Sequence, residues 1–316
     1  VHVVIYLPSA FYAAIAATII ETLEAVNEVS GAKVFSFEFV AKQARAVSKS
    51  GIRFRASTEP SKKMDVLIVL AGTESEIPKT VRLLDRETKH VLPLVERAQR
   101  QGSIIAATCG ASYLLAGSGI LNGKRSTISW WLKKEASRRF PAVRWEPSRL
   151  IIRQGRIYTT GAGFSGLELI TSLLLDLGLS KEERQVRKIM VFPPSRQFQS
   201  PYEESFPAAT DPFEKQLNQF SREHIRDLDL QFLARRLGMS SRSLSRKFIK
   251  ELQTTPGKWI QEKRLEMARA LLETTRLTVA EICHRIGYQD VASFSRLFAK
   301  STGMPPADFR RQIVSR

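Results

Sequence analysis

One cysteine and two matching sets of arginine and serine are the side chains in this 316-residue chain whose types and spacing suggest chemistry. Cys109 ends the apolar run Ser103-Ile-Ile-Ala-Ala-Thr and is followed by Gly110-Ala-Ser-Tyr113-Leu-Leu-Ala-Gly. A buried strand that runs into a tight turn and then a helix, with a nucleophile at the apex, is a nucleophile elbow; small neighbours let the turn close. Backbone N–H groups at the start of the new helix are placed to hold an anion or oxyanion. The same residues equally describe a plain buried thiol, the common condition of a free cysteine. A reactive thiol needs a base or a nearby acid, and the four histidines, His2, His90, His224 and His284, have no spacing that supplies one. Cys109 and Cys283 are far apart in sequence, which argues against a disulfide framework and a Cys-ligated zinc site and fits a reducing cytoplasm. No cofactor and no metal is expected.

The arginine and serine sets lie in a weak repeat with a period near fifty residues. Its first copy runs from Leu233 through Gly238, Ser240 and Phe248 to Thr255-Pro256, its second from Ile282 through Gly287, Asp290 and Phe298 to Pro305-Pro306. In each, glycine ends a short amphipathic helix in a left-handed turn. Ser240 or Asp290 then caps a second helix. Leu244 and Phe248, and likewise Phe294 and Phe298, stand four apart and face inward. The opposite face carries Arg242, Ser243, Ser245 and Arg246 in one copy and Ala292, Ser293, Ser295 and Arg296 in the other. Apolar inside, with short polar and arginine side chains outside, is what a helix needs to read the major groove. Exposed arginines are ordinarily just solvated, and helix–glycine–helix pairs occur in plain bundles; two in-phase copies joined by the helix-forming stretch Lys258–Thr274 favour DNA binding. Thr278 and Glu281 have capping-box spacing.

Different elements must position these two chemistries. Val1–Leu7, Val34–Val40, Val66–Leu70 and Ile104–Thr108 read as strands, with helical spacing over Ala13–Val29 and Val91–Gln101. Alternation of this kind implies a parallel sheet covered by helices on both faces. Asn122-Gly123 reads as a tight turn, and Leu150–Ile152 with Arg156–Thr160 as a hairpin about Gln154-Gly155. At Phe192-Pro193-Pro194-Ser195 the register changes, and from Phe213 to Phe309 only helices are expected. The organisation read from this is an α/β domain over residues 1–194, a linker over 195–214, and an all-α domain with two helix-turn-helix units over 215–316.

Charge supports the same division of labour. Forty-nine Lys and Arg against 31 Asp and Glu give +18 and a pI near 10.2, a balance that suits a polyanionic partner. Residues 216–316 hold nineteen basic and ten acidic side chains, so half of the excess lies outside the helical part. Phe11 to Ile20 is the longest apolar stretch near the start, too short for a membrane span and without a basic leader.

The last hundred residues resemble the DNA-binding domain of the AraC/XylS family. The Gly–Tyr and Phe–Ser–Arg–x–Phe elements of the second unit, followed by Gly303 and Pro305, carry the likeness. Gln253 departs from it, standing where the family usually has glycine. Residues 1–194 resemble the ThiJ/PfpI group of class I glutamine amidotransferase-like domains in the form found in GlxA-like regulators. The shared residues are Leu7-Pro8, Cys109, Leu114-Leu115-Ala116, the run from Gly119 to Lys124, Trp130, Phe140-Pro141 and Gly161-Ala-Gly163. This resemblance implies a flavodoxin-like α/β fold and a small-molecule sensing role; related regulators respond to amino-acid derivatives or quaternary amines. It also implies that Ser129 stands where enzymatic relatives have histidine, and that Ala13-Ala14 replaces an early carboxylate, so that catalysis is lost. Phe11, Cys109, Gly110, Tyr113, Ser129 and Trp130 are the candidate ligand residues, with Trp131 as a further aromatic. The expected partners are double-stranded DNA with two major-groove segments per subunit, a small effector, a second copy in a homodimer, and RNA polymerase as a further candidate. Two rival classes stay open at this level: a thiol hydrolase with an incidental DNA-binding tail, and a non-specific nucleoid-type binder.

Overall fold

The computed structural model describes residues 1–192, 196, 198–199, 212–252 and 254–314, the last three of these by backbone alone. The chain divides into two compact units, Val1–Ser200 and Pro201–Arg316. Most of the segment expected to be a linker, and Gln253, lie outside the described residues. Arg196, Phe198 and Gln199 belong to the first unit.

In the first unit, β1 (His2–Tyr6), α1 (Ala13–Ser30) and β2 (Ser36–Val40) are followed by a small antiparallel pair, β3 (Arg45–Val47) and β4 (Arg53–Arg55). Next come β5 (Val66–Val69), α2 (Ile77–Gln101), β6 (Ile104–Ala107) and α3 (Ala111–Gly117). A two-residue strand β7 (Arg125–Ser126), α4 (Lys133–Arg139) and β8 (Arg144–Trp145) form a small annex, and β9 (Ile151–Gln154), β10 (Ile157–Thr160), α5 (Gly166–Asp176) and α6 (Ser180–Ile189) complete the unit. The main sheet has the order β2-β1-β5-β6-β10-β9, parallel except for the edge pair β10–β9. This is the expected parallel sheet and hairpin.

Each strand's alternation splits its side chains between two cores. Val4, Tyr6, Leu67, Val69, Ile105 and Ala107 pack with the α2–α3 side, while Val3, Ile5, Val66, Ile68 and Ala106 pack with α1, α5 and α6. On α1, Ile15, Ile19, Leu23 and Val26 form the buried stripe. The C-terminal end of α1 is set by Gly31, which takes a left-handed φ of 65° and stops the helix. Helix α2 extends well beyond the expected Val91–Gln101 and accommodates Pro93 in its interior. Pro93 is exposed, so the carbonyl its ring leaves unpaired one turn earlier lies towards water.

The second unit holds α7 (Pro212–His224), α8 (Leu230–Arg236), α9 (Ser241–Lys247), α10 (Pro256–Thr274), α11 (Val279–Arg285), α12 (Val291–Thr302) and α13 (Pro306–Val314). A π-type turn over Phe248–Leu252 continues α9. Leu217, Leu233, Leu244, Phe248 and Trp259 form one buried cluster; Phe294, Phe298 and Phe309 stack edge to face in the second helix pair. Among the described residues no helix is long and apolar enough to cross a membrane, and no group of His, Cys, Asp and Glu could hold a metal ion.

Candidate functional site

Both helix pairs of the second unit are built as their residues require. Gly238 and Gly287 take φ of 62° and 87°, conformations that a side chain disfavours. Asp229 caps α8 through the Phe232 amide, Ser240 caps α9 through the Ser243 amide, and Asp290 caps α12 through the Ala292 and Ser293 amides. Thr278 and Glu281 form a complete capping box on α11. The hydrogen bonds that Thr278 gives to Glu281 hold its carboxyl below the usual range, and those that Ser293 gives to Asp290 do the same there.

Leu244, Phe248, Phe294 and Phe298 are wholly buried, as their spacing predicts. The remaining surface of α9 presents Arg242 and Arg246 to solvent with Ser243 and Ser245 beside them. That of α12 presents Ala292, Ser293 and Arg296, with Ser295 half-buried. Among the described residues Arg242 and Arg246 have no carboxylate partner, and Arg296 donates from Nη2 to Ser293 Oγ at 2.9 Å. Arg242 and Arg246 are therefore exposed cations without a carboxylate among the described residues, and Arg296 is an exposed cation held only by a neutral hydroxyl and the nearby charge of Asp290.

In the first unit, β6 runs into Cys109, which takes a φ of 56°, and α3 starts two residues later. A non-glycine residue held at positive φ between a strand and a helix is the strained elbow geometry. The surroundings do not favour a thiolate. Cys109 is only 4% exposed, and burial pushes its thiol pKa up against the opposing hydrogen bonds from Ser129 and the Gly110 amide. Ser129 Oγ donates to Cys109 Sγ at 3.0 Å, so the residue expected in the place of a histidine does face the sulfur. A hydroxyl there orients the thiol but cannot take its proton at neutral pH.

The other candidate ligand residues divide. Gly110 and Ser129 are buried beside Cys109, and Trp130 and Trp131 are half-buried in a single 3-10 turn, Trp130–Leu132. Of the two further aromatics, Tyr113 lies in the same core as Cys109 and Phe11 in the core on the other face of the sheet. Phe11 packs edge to face on Phe54 at 5.3 Å, whereas Tyr113 packs on Phe140 at 4.8 Å and donates to Asp85 at 2.9 Å. Their rings are large enough to fill the two faces of the sheet, and burial there claims them.

Two polar residues near this region were not singled out from the sequence. Glu87 lies in the buried stripe of α2, where its carboxylate accepts from Tyr6 Oη at 2.6 Å and Ser9 Oγ at 2.7 Å. Its signal was a charged residue on an otherwise apolar helical face. Gln199 is wholly buried against the loop that carries Ser129, and had no periodic signal at all.

A helix-turn-helix domain family matches residues 233–312, a span that contains both helix pairs. The HTH-type transcriptional regulator GbdR of Pseudomonas aeruginosa is 24% identical over 303 residues, covering 93% of this chain and 80% of its own length. The HTH-type transcriptional regulator GlxA of Rhizobium meliloti is 27% identical over 229 residues, 70% of this chain and 69% of its own length. The crystal structure of Drosophila melanogaster DJ-1beta aligns with a TM-score of 0.51 at 14% identity, over 61% of this chain and 98% of that one, a likeness of fold. Both helix pairs thus lie inside a helix-turn-helix domain, and the chain is similar over most of its length to HTH-type transcriptional regulators.

Proposed function

We propose that α9 and α12 are the base-reading helices, each laid in a major-groove segment, and that a small molecule received near the Cys109 elbow controls the protein. The observation that carries the first part is the matched pair: each helix buries two apolar residues four apart and turns an arginine outward at the equivalent position, Arg246 in one and Arg296 in the other. Arg242, Ser243, Ser245, Ala292, Ser293 and Ser295 complete the two reading faces. Arginine paired to guanine is the strongest base contact available to such a face, and consecutive segments on one side of the duplex lie about 34 Å apart.

The elbow stands at the carboxyl edge of a parallel sheet, the end at which folds of this class receive ligands. The half-buried Trp130 and Trp131 next to it suit a cationic ligand such as a quaternary amine or an amino-acid derivative. The role there is binding rather than catalysis, because the thiol is kept protonated by burial and faces a hydroxyl instead of a base. A homodimer in the cytoplasm, working with RNA polymerase, completes the reading.

Selection of sites from a random DNA pool at about 150 mM salt, well into the range where phosphate contacts weaken, tests it. The expected result is a motif of two blocks separated by about one helical turn. A pool that stays random while being retained at low salt would leave only charge-driven binding. Thermal-shift screening of quaternary amines and amino-acid derivatives, on the full chain and on a Trp130→Ala variant, tests the effector site.

A further inference from the structure

Gln199 is a polar side chain with no exposure, and every polar atom of its carboxamide is used. Nε2 donates to the carbonyl of Ile128 at 2.8 Å and lies 3.2 Å from that of Arg149 and 3.3 Å from Thr127 Oγ1. Oε1 accepts from the Trp130 amide at 3.2 Å. Two donor hydrogens meet oxygens, and one acceptor oxygen meets an N–H, which is the pattern of a primary carboxamide and of no other side-chain group. A carboxylate would set oxygen against three oxygens. The cradle is also shaped for close approach: a Cβ added to Gly161 would overlap the Gln199 carboxamide.

The backbone around Gln199 is pinned as well. Its amide donates to the Ser148 carbonyl at 3.0 Å, and Phe198 bridges antiparallel to Arg149, whose guanidinium lies over the Phe198 ring at 4.6 Å. Three residues upstream, Arg196 forms a two-pronged ion pair with the buried carboxylate of Glu168, at 2.6 and 3.0 Å.

We infer that the loop Thr127–Trp130 is a built receptor for a primary carboxamide, and that its ligand is the chain's own Gln199. The residue so held is the last but one of the first unit. The two backbone groups that grip it, Ile128 C=O and Trp130 N–H, flank Ser129, the residue in contact with Cys109. The receptor therefore joins the elbow to the stretch of chain that leads into the DNA-binding unit, and a shift of the loop at one end changes the grip at the other. This inference goes beyond the regulator reading and needs no effector at the elbow.

Amide hydrogen exchange on the full chain tests it. In Q199A and in the isosteric Q199E the Trp130 amide loses its acceptor or its seated partner and is expected to exchange about tenfold faster or more. G161A leaves Gln199 in the sequence but fills its seat, so that both the Trp130 and the Gln199 amides should exchange faster. Acetamide has the heavy atoms that Q199A removes, and it should restore Trp130 protection in Q199A, with no effect on the wild type or on G161A. Unchanged Trp130 exchange in Q199E would overturn the inference, and so would failure of acetamide to restore protection in Q199A. The Q199E arm reads the seat even where G161A fails to fold.

Discussion

At Cys109 two influences oppose each other, the elbow backbone that presents the sulfur and the burial that keeps it protonated, and burial prevails. The thiolate fraction at neutral pH is consequently smaller than that of a free thiol. In a Cys283→Ser background, alkylation of Cys109 by iodoacetamide should be slower than that of a model thiol, with its rate rising only above the ordinary thiol range. A rate already at its plateau near pH 7 would restore the hydrolase reading. For the reading helices, Arg246→Ala and Arg296→Ala should each cost about 1–3 kcal/mol of operator binding and relax preference at one base position. Operator titrations that show no change for either variant would remove the assignment. The elbow was legible in the sequence because a strand, a thiol and small residues are contiguous there, whereas Ser129, far along the chain, was pointed to only by the family resemblance. Which face of the sheet Phe11 and Tyr113 occupy was not legible, since residue type alone does not say which core an aromatic fills. Gln199 stayed invisible because a side chain that bonds to distant backbone leaves no period and no local motif.

The two helix pairs look alike at the level of elements, but their turns are not equally constrained. Gly238 faces open space, whereas a Cβ on Gly287 would run into the Arg226 carbonyl. Gly238→Ala should therefore cost only the left-handed strain, about 1–2 kcal/mol. Gly287→Ala adds a backbone clash and should cost about 3–5 kcal/mol, read by urea unfolding of the second unit. Equal losses at the two glycines would mean that the Arg226 carbonyl moves aside freely. The caps give these elements a pH dependence of known sign. Glu281 and Asp290 have folded carboxyl pKa values depressed by their cap hydrogen bonds, so their stabilisation is complete above the unfolded carboxylate range and is lost as pH falls through the lower folded values. Asp290→Asn should accordingly flatten the acid limb of the second unit's stability, measured by unfolding between about pH 2 and 5. These caps could be read from the sequence because capping is local. The first half of α2 could not: Lys79, Arg82, Asp85, Arg86 and Lys89 crowd its outer face and Pro93 interrupts the pattern, while the packing that forms the helix comes from strands distant in sequence.

Over the whole molecule the net charge of +18 divides into +12 on the first unit and +6 on the second, yet the cations are not equally free. In the first unit several are already engaged: Arg125 with Glu146, Arg138 with Glu135, Arg153 with Asp176, Arg187 with Glu183 and Arg196 with Glu168. Arg242 and Arg246 on α9 have no such carboxylate among the described residues, and they stand on the exposed face of that helix. The dependence of DNA affinity on salt should therefore be set by the second unit. Each phosphate contact releases condensed counterions and steepens the plot of log affinity against log salt by about one. Replacing the exposed Lys133 and Lys134 of α4 by glutamine removes two positive charges from the first unit and should leave that slope unchanged. Arg242→Ala, which removes one, should lower it by about one if Arg242 meets a phosphate, and should instead narrow the ratio of operator to random-sequence affinity if it meets a base. A slope that falls by about two in the lysine variant would assign the first unit's charge to the duplex as well. It would also bring back a binder held largely by charge, for which the two recognition faces would matter less than the basic surface as a whole.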